Sequence, residues 1–189
     1  MKKRILNLIV ALVFVSASIF ANNNPSITTV DANSFIVDTK EWKSEFISIE
    51  IRNDERAVIF TEKYSTIKGK KFSFENLPNG QYSIILSDEY KSTEQFFTLN
   101  SNKVVVQPNI VTVFKPVINI NEDFIDLNYL APGKNTSVSI SDENNTFFNI
   151  KIEDKKNINK RFDTSNLPRG EYTVSVYSKN SSYSKTFHK

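Results

Sequence analysis

Asn76-Leu77-Pro78-Asn79-Gly80-Gln81-Tyr82 returns ninety residues later as Asn166-Leu167-Pro168-Arg169-Gly170-Glu171-Tyr172. The flanks match without a gap: Phe72 with Phe162, Ile84 with Val174, Leu86 with Val176, and Phe97 with Phe187. Upstream, at an offset one residue shorter, Phe35-Ile36 aligns with Phe124-Ile125, and Ile49 and Ile51 align with Val138 and Ile140. A repeat this long is a whole small domain. The expected organisation is therefore two copies of one module, at 22–102 and 103–189.

The module is all-β. Phe46-Ile47-Ser48-Ile49-Glu50-Ile51, Tyr82-Ser83-Ile84-Ile85-Leu86 and Tyr172-Thr173-Val174-Ser175-Val176-Tyr177 alternate apolar with polar, or nearly so. They are rich in β-branched and aromatic residues, the signature of half-buried strands. Strands are predicted near 26–30, 33–39, 46–52, 56–61, 71–75, 81–87 and 94–100. In the second module they are predicted near 111–120, 123–130, 136–142, 146–152, 159–163, 171–178 and 183–188. Short strands at this spacing make two tandem immunoglobulin/fibronectin-III-like β-sandwiches. Val104-Val105-Val106, in the connection, is apolar enough to pair with a sheet.

The repeated phrase has a mechanical reading. Leu-Pro-x-Gly suits a type I turn, with Pro78 or Pro168 second and Gly80 or Gly170 fourth. Tyr82 and Tyr172 open the next strand. They are placed for a tyrosine corner, in which the hydroxyl bonds to upstream backbone. The hairpin tips Asp54-Glu55 and Asp142-Glu143 read as turn residues, or as carboxylates offered to calcium. Two acids per tip fall short of the six to eight oxygens such a site needs.

Residues 1–21 read as a secretory signal peptide: Met1-Lys2-Lys3-Arg4, an apolar run from Ile5 to Phe14, then small residues ending at Ala21. The alternative is an uncleaved anchor, for which the run is short. No later segment is apolar enough to span a membrane. The expected location is the periplasm, the cell surface or the medium. The net charge of +3 comes from the leader: of 24 Lys and Arg, three lie there, leaving 21 against 21 Asp and Glu. That balance argues against a nucleic-acid partner. The basic runs Lys68-Gly69-Lys70-Lys71 and Lys155-Lys156…Lys160-Arg161 read as guarded strand edges or as contacts for an anionic surface.

Catalytic chemistry has little to stand on. The single histidine is His188, cysteine is absent, and four scattered glycines make no phosphate loop. No cofactor and no metal are expected. A carboxylate-only hydrolase needs two acids facing across a cleft.

The stretch from Asn166 to Val176, with Lys185-Thr186-Phe187-His188-Lys189 at the end, resembles the C-terminal sorting domain of type IX secretion cargo. That domain is a small immunoglobulin-like sandwich that directs export across the outer membrane. The match covers 136–189, and Lys185, Phe187 and Lys189 would form the sorting tail. The chain departs from that family in carrying Asn144-Asn145 where a hairpin glycine is usual, and in having a sister copy where a larger cargo domain is usual. Over most of its length the chain is similar to small secreted bacterial immunoglobulin-like proteins of unknown function. Three functions are open on these grounds: a non-catalytic envelope module binding a protein or glycan, an export signal, or a carboxylate hydrolase.

Overall fold

A computed structural model of the chain describes residues 25–189, apart from Lys43, 66–68, Asn102, 132–134 and 179–180. The leader read at 1–21 lies outside them. The described residues form fifteen strands and no helix. The first eight are β1 (Ser26–Asp31), β2 (Ser34–Asp38), β3 (Ile47–Asn53), β4 (Val58–Tyr64), β5 (Lys70–Ser73), β6 (Gly80–Ser87), β7 (Lys91–Asn100) and β8 (Lys103–Phe114). The others are β9 (Val117–Ile120), β10 (Phe124–Leu130), β11 (Asn135–Ser141), β12 (Thr146–Glu153), β13 (Asn157–Asp163), β14 (Glu171–Ser178) and β15 (Ser181–His188).

Both modules repeat one antiparallel plan. A three-stranded sheet, β1-β2-β5 or β13-β10-β9, packs on a second sheet, β4-β3-β6-β7 or β12-β11-β14-β15. Alternation along the strands makes the cores. Ile47, Ile49 and Ile51 of β3 are buried while Ser48, Glu50 and Arg52 face outward. The first core is aromatic: Phe35 lies 4.8 Å from Phe74 and 5.3 Å from Phe97, ring centre to ring centre. The second is mainly aliphatic, with Ile125, Leu127, Val138, Ile140, Val174 and Val176 fully buried.

Strand register corrects the upstream repeat alignment by one residue. Phe35 pairs with Phe72, and Ile125 pairs with Phe162. Since Phe72 and Phe162 are equivalents, Phe35 corresponds to Ile125 rather than to Phe124. A one-residue slip moves every side chain to the other face, and burial agrees: Phe35 and Ile125 are both at 0% exposure. Phe124 lies instead on the outer face, under the Arg161 guanidinium at 3.8 Å. Likewise Ile51 pairs with Phe60 and Ile140 with Phe148. The first hairpin is thus one residue longer at its tip, where Arg56 adopts a left-handed φ of 67°.

Residues 103–114 extend the first module's larger sheet as β8, outside β7. Val104, Val105 and Val106 pair with Leu99, Thr98 and Phe97. The strand predicted over 111–120 is broken in two by Lys115-Pro116, because proline has no N–H to continue a ladder. Pro108 sits in a bulge: Gln95 pairs with Ile110 and Phe97 with Val106, leaving 107–109 opposite Phe96. The Gln95 side-chain amide donates to the Gln107 carbonyl at 2.6 Å.

The hydrogen-bonded turn before each corner lies three residues earlier than the phrase suggests. Leu77 N–H donates to Phe74 O at 3.0 Å, and Leu167 N–H to Thr164 O at 3.1 Å. Gly170 N–H instead joins the ladder to Lys189. Neither Gly80 nor Gly170 has a left-handed φ, whereas Gly69 does, at 67°. A Cβ on Gly80 or Gly170 would meet the corner tyrosine ring no closer than 3.6 Å or 3.7 Å, ordinary contact. Gly80→Ala and Gly170→Ala are expected to be neutral or to stabilise by up to about 1 kcal/mol through the unfolded chain. Gly69→Ala should cost about 1 kcal/mol or more, because its φ disfavours any Cβ. Urea unfolding of the three variants checks this ordering.

Candidate functional site

The two corners are alike. The Tyr82 hydroxyl donates to Pro78 O and the Tyr172 hydroxyl to Pro168 O, both at 2.8 Å. Each ring stacks on the facing residue of the next strand, Tyr82 on Phe97 and Tyr172 on Phe187, with centres 5.5 Å apart. Burial raises the Tyr82 phenol above its ordinary pKa, and the Asp54 charge adds to this. Both rings are buried, so neither corner presents an aromatic contact to a partner. Tyr82→Phe and Tyr172→Phe are each expected to cost their own module about 0.5–1.5 kcal/mol, the net worth of one hydrogen bond. Unfolding midpoints unchanged by both substitutions would refute that assignment.

The C-terminal residues form the last strand of the second sandwich. Phe187 is buried opposite Tyr172. Lys185 Nζ donates to Ile118 O at 2.9 Å. Lys189 Nζ reaches Glu122 O and, at 3.2 Å, Asp123 Oδ1. The spaced lysines thus tie β15 across the sandwich to β9 and the turn after it.

The hairpin acids are used locally. Asp142 Oδ1 accepts the N–H groups of Asn144 at 2.8 Å and Asn145 at 2.6 Å, which holds its carboxyl below the ordinary value. Asp54 Oδ1 accepts from Glu55 N–H at 3.0 Å. Among the described residues no three Asp, Glu, His or Cys side chains gather as a metal site would require. Other surface carboxyls are lowered too: Asp31 to about 2, chiefly by Lys71, and Asp126 by Arg161. A carboxyl whose folded pKa is depressed stabilises the fold above its unfolded pKa and loses that contribution as pH falls through the folded one. Stability should therefore be flat from neutral pH down to about 5 and decline between about 4 and 2. The decline should be modest, because these groups are exposed and screened. Unfolding midpoints at stepped pH values test the sign.

Concave surface is built at the junction of the modules, at the opposite end of β6 from the Tyr82 corner. Asp88, in the turn between β6 and β7, is buried. Its carboxylate accepts from Ser44 Oγ at 2.8 Å and from the N–H groups of Tyr90 and Lys91 at 2.7 Å each. The turn is thereby fixed without a partner. Lys115 then clamps it: its N–H donates to Tyr90 O at 2.7 Å and its ammonium to Asp88 O. Burial pulls the Lys115 pKa below its ordinary value, opposed by the Asp88 charge.

Two grooves flank this clamp. One, of about 520 Å³, takes its walls from both modules, with Glu89, Tyr90 and Lys115 facing Ile118, Tyr183 and Lys185. The other, of about 390 Å³, lies against Ser44, Phe46, Lys63 and Asp88. Its rim carries Glu45 and Glu89, both exposed, so acids do line a groove, although the Asp88 carboxylate is already bonded to three donors. The arrangement suits recognition: a fixed turn, exposed aromatic rings and charges of both signs.

The sequence singles out Tyr82, Tyr172 and the tail residues Lys185, Phe187 and Lys189, which the structure places in the two corners and the last strand, but it does not single out Asp88, Tyr90 and Lys115. The one local signal was Asp88 followed by Glu89-Tyr90 between two alternating runs, a turn-capping position. Lys115 and Tyr183 carry no signal, because their roles depend on how the second module is joined to the first.

The strand order defines the class, a pair of tandem immunoglobulin/fibronectin-III-like sandwiches. No family model and no curated protein matches the chain. Among solved structures it is similar to a biofilm associated protein BSP domain, with 15% identity over 87% of this chain and a TM-score of 0.29. It spans 28% of that structure's chain. It is also similar to a two fibronectin type-III domain segment from chicken tenascin, with 8% identity, coverage of 88% and 98% of the two chains, and a TM-score of 0.31. A third is a structure of neurohormone perception by the receptor tyrosine kinase Torso, with 12% identity, coverage of 88% and 72%, and a TM-score of 0.25. The fold assignment rests on strand order and register.

Proposed function

We propose that the chain is a secreted, non-catalytic module of the cell envelope that holds a protein or glycan partner in the groove between its two sandwiches. Residues 1–21 are its export leader, and the folding unit at 22–102 extends through β8. The observation that carries the reading is the clamp of Asp88 and Lys115, which fixes the groove before any partner arrives. Preorganised loops on a rigid sandwich lower the ordering cost of binding. Exposed Tyr90 supplies an aromatic anchor of the kind that dominates recognition surfaces.

The test is site-specific photocrosslinking in the native cell, with the probe at position 90 or 183 and, as a control, at exposed position 58, at the end of β4 away from the grooves. A discrete product from 90 and 183 alone supports the reading. Equal products from all three positions, or none, would remove it. Tyr90→Ala should weaken capture of that partner by about tenfold or more.

A second reading is a type IX sorting signal in 136–189. It is favoured by the match between Asn166 and Val176 and by the spacing of Lys185, Phe187 and Lys189. In that reading the tail lysines are contacts for the export machinery as well as struts of the sandwich.

A further inference from the structure

We propose that two copies of this chain join through the outer edges of their β8 strands, continuing one sheet into the other. Residues 110–114 of this edge do not line the junction groove, which begins at the next residue, Lys115.

The inference starts from how the sheet edges are guarded. Exposed edges invite pairing, and charged side chains normally blunt them. Glu62 and Lys63 stand on β4, Lys70 and Lys71 on β5, Lys151 and Glu153 on β12, Lys160 and Arg161 on β13, and Lys185 on β15. The edge strand β9 is also uncharged, but its four residues leave little edge to pair; β8 has neither guard. It is the longest strand described, at 12 residues, and Val104 to Phe114 contains no charged side chain.

The first half of this edge is occupied. Val104 N–H donates to Ala32 O at 2.6 Å, and the bulge at Pro108 separates that half from the rest of the strand. The second half, 110–114, is open. Lys115 N–H points inward to Tyr90 O. Antiparallel alternation then turns the N–H and C=O groups of Ile110, Thr112 and Phe114 outward. The side chains beside them are apolar and wet: Val111 is 52% exposed, Phe114 42% and Phe96 36%.

A second copy is the occupant that this edge fits. An antiparallel pair of identical strands centred on Thr112 sets Ile110 against Phe114 and Val111 against Val113. Every cross-strand pair in it is apolar or hydroxyl, and no like charges meet. Such a pairing is isologous and closes as a two-fold dimer. Outside the leader the chain carries equal numbers of acidic and basic side chains, so net charge does not oppose self-association. The product is one sheet of ten strands.

Sedimentation of the exported chain over a wide concentration range tests this. A monomer–dimer equilibrium is expected. Thr112→Pro removes an outward N–H, a place where edge strands tolerate proline, and should raise the dimer dissociation constant more than about tenfold. Trp42 fluorescence on unfolding should stay as in the parent chain, which excludes misfolding as the cause. Val111→Glu and Val113→Lys should each be monomeric alone, and their equimolar mixture should dimerise, because position 111 faces 113 across the axis. A chain that is monomeric at every concentration overturns the proposal. So does a dimer that survives Val111→Glu, or a mixture that stays monomeric.

Discussion

Phe35→Ala should lower the stability of the first sandwich by about 3–5 kcal/mol, the usual cost of emptying a buried aromatic site. Phe35 is fully buried and touches three other phenylalanines, with Phe72 at 6.0 Å in addition to Phe74 and Phe97. Those rings come from both sheets, so a cavity there cannot be closed by shifting one strand. A domain of this size has about 5–15 kcal/mol in total, and the loss is a large share of it. The chain offers a clean probe. Its single tryptophan, Trp42, is buried in the same core, beneath the Lys91 ammonium. Urea unfolding followed at Trp42 should move to a lower midpoint by more than about 1 M, given slopes of about 1–3 kcal/mol per molar. The second module, which has no tryptophan, should keep its own β-sheet transition. Ile125→Ala at the equivalent site should do the reverse, at a smaller cost because the side chain is smaller.

That Phe35 and Ile125 are equivalents was not readable from the letters. The strands around them were, because alternation is a period-two signal set by burial on one face. The aligned dipeptides Phe35-Ile36 and Phe124-Ile125 both read aromatic then aliphatic, so similarity favoured the wrong register. Only pairing to Phe72 and Phe162 decides it, and pairing is a long-range fact. The same limit explains β8. Its valines announced a strand, yet whether it led the second module or trailed the first depended on which edge it met. The corner was legible because Tyr82 to Pro78 is a contact within four residues. The Asp88–Lys115 clamp spans 27 residues, from the turn after β6 to the residue after β8, and no local pattern encodes it.

Deleting Lys185–Lys189 should unfold the second sandwich while leaving the first intact. The deletion removes the partners of Gly170 to Val174 along β14. It strips Phe187 from the Tyr172 ring, itself a loss of about 3–5 kcal/mol. It also cuts the lysine ties from β15 to Ile118 and Glu122. Together these approach the whole stability of a small domain. The Trp42 transition should persist, and the second-module transition should vanish. This changes what a truncation says about export. A shortened chain trapped in the periplasm would result from lost sorting contacts or from an unfolded cargo alike. Lys185→Gln with Lys189→Gln separates them. Glutamine keeps a donor near each carbonyl and leaves Phe187 and the ladder in place, so the fold should survive. In the envelope-module reading this double variant reaches the same compartment as the parent chain, and that is the expected result. Retention of the folded double variant in the periplasm, beside a parent chain found outside, would assign the lysines to export.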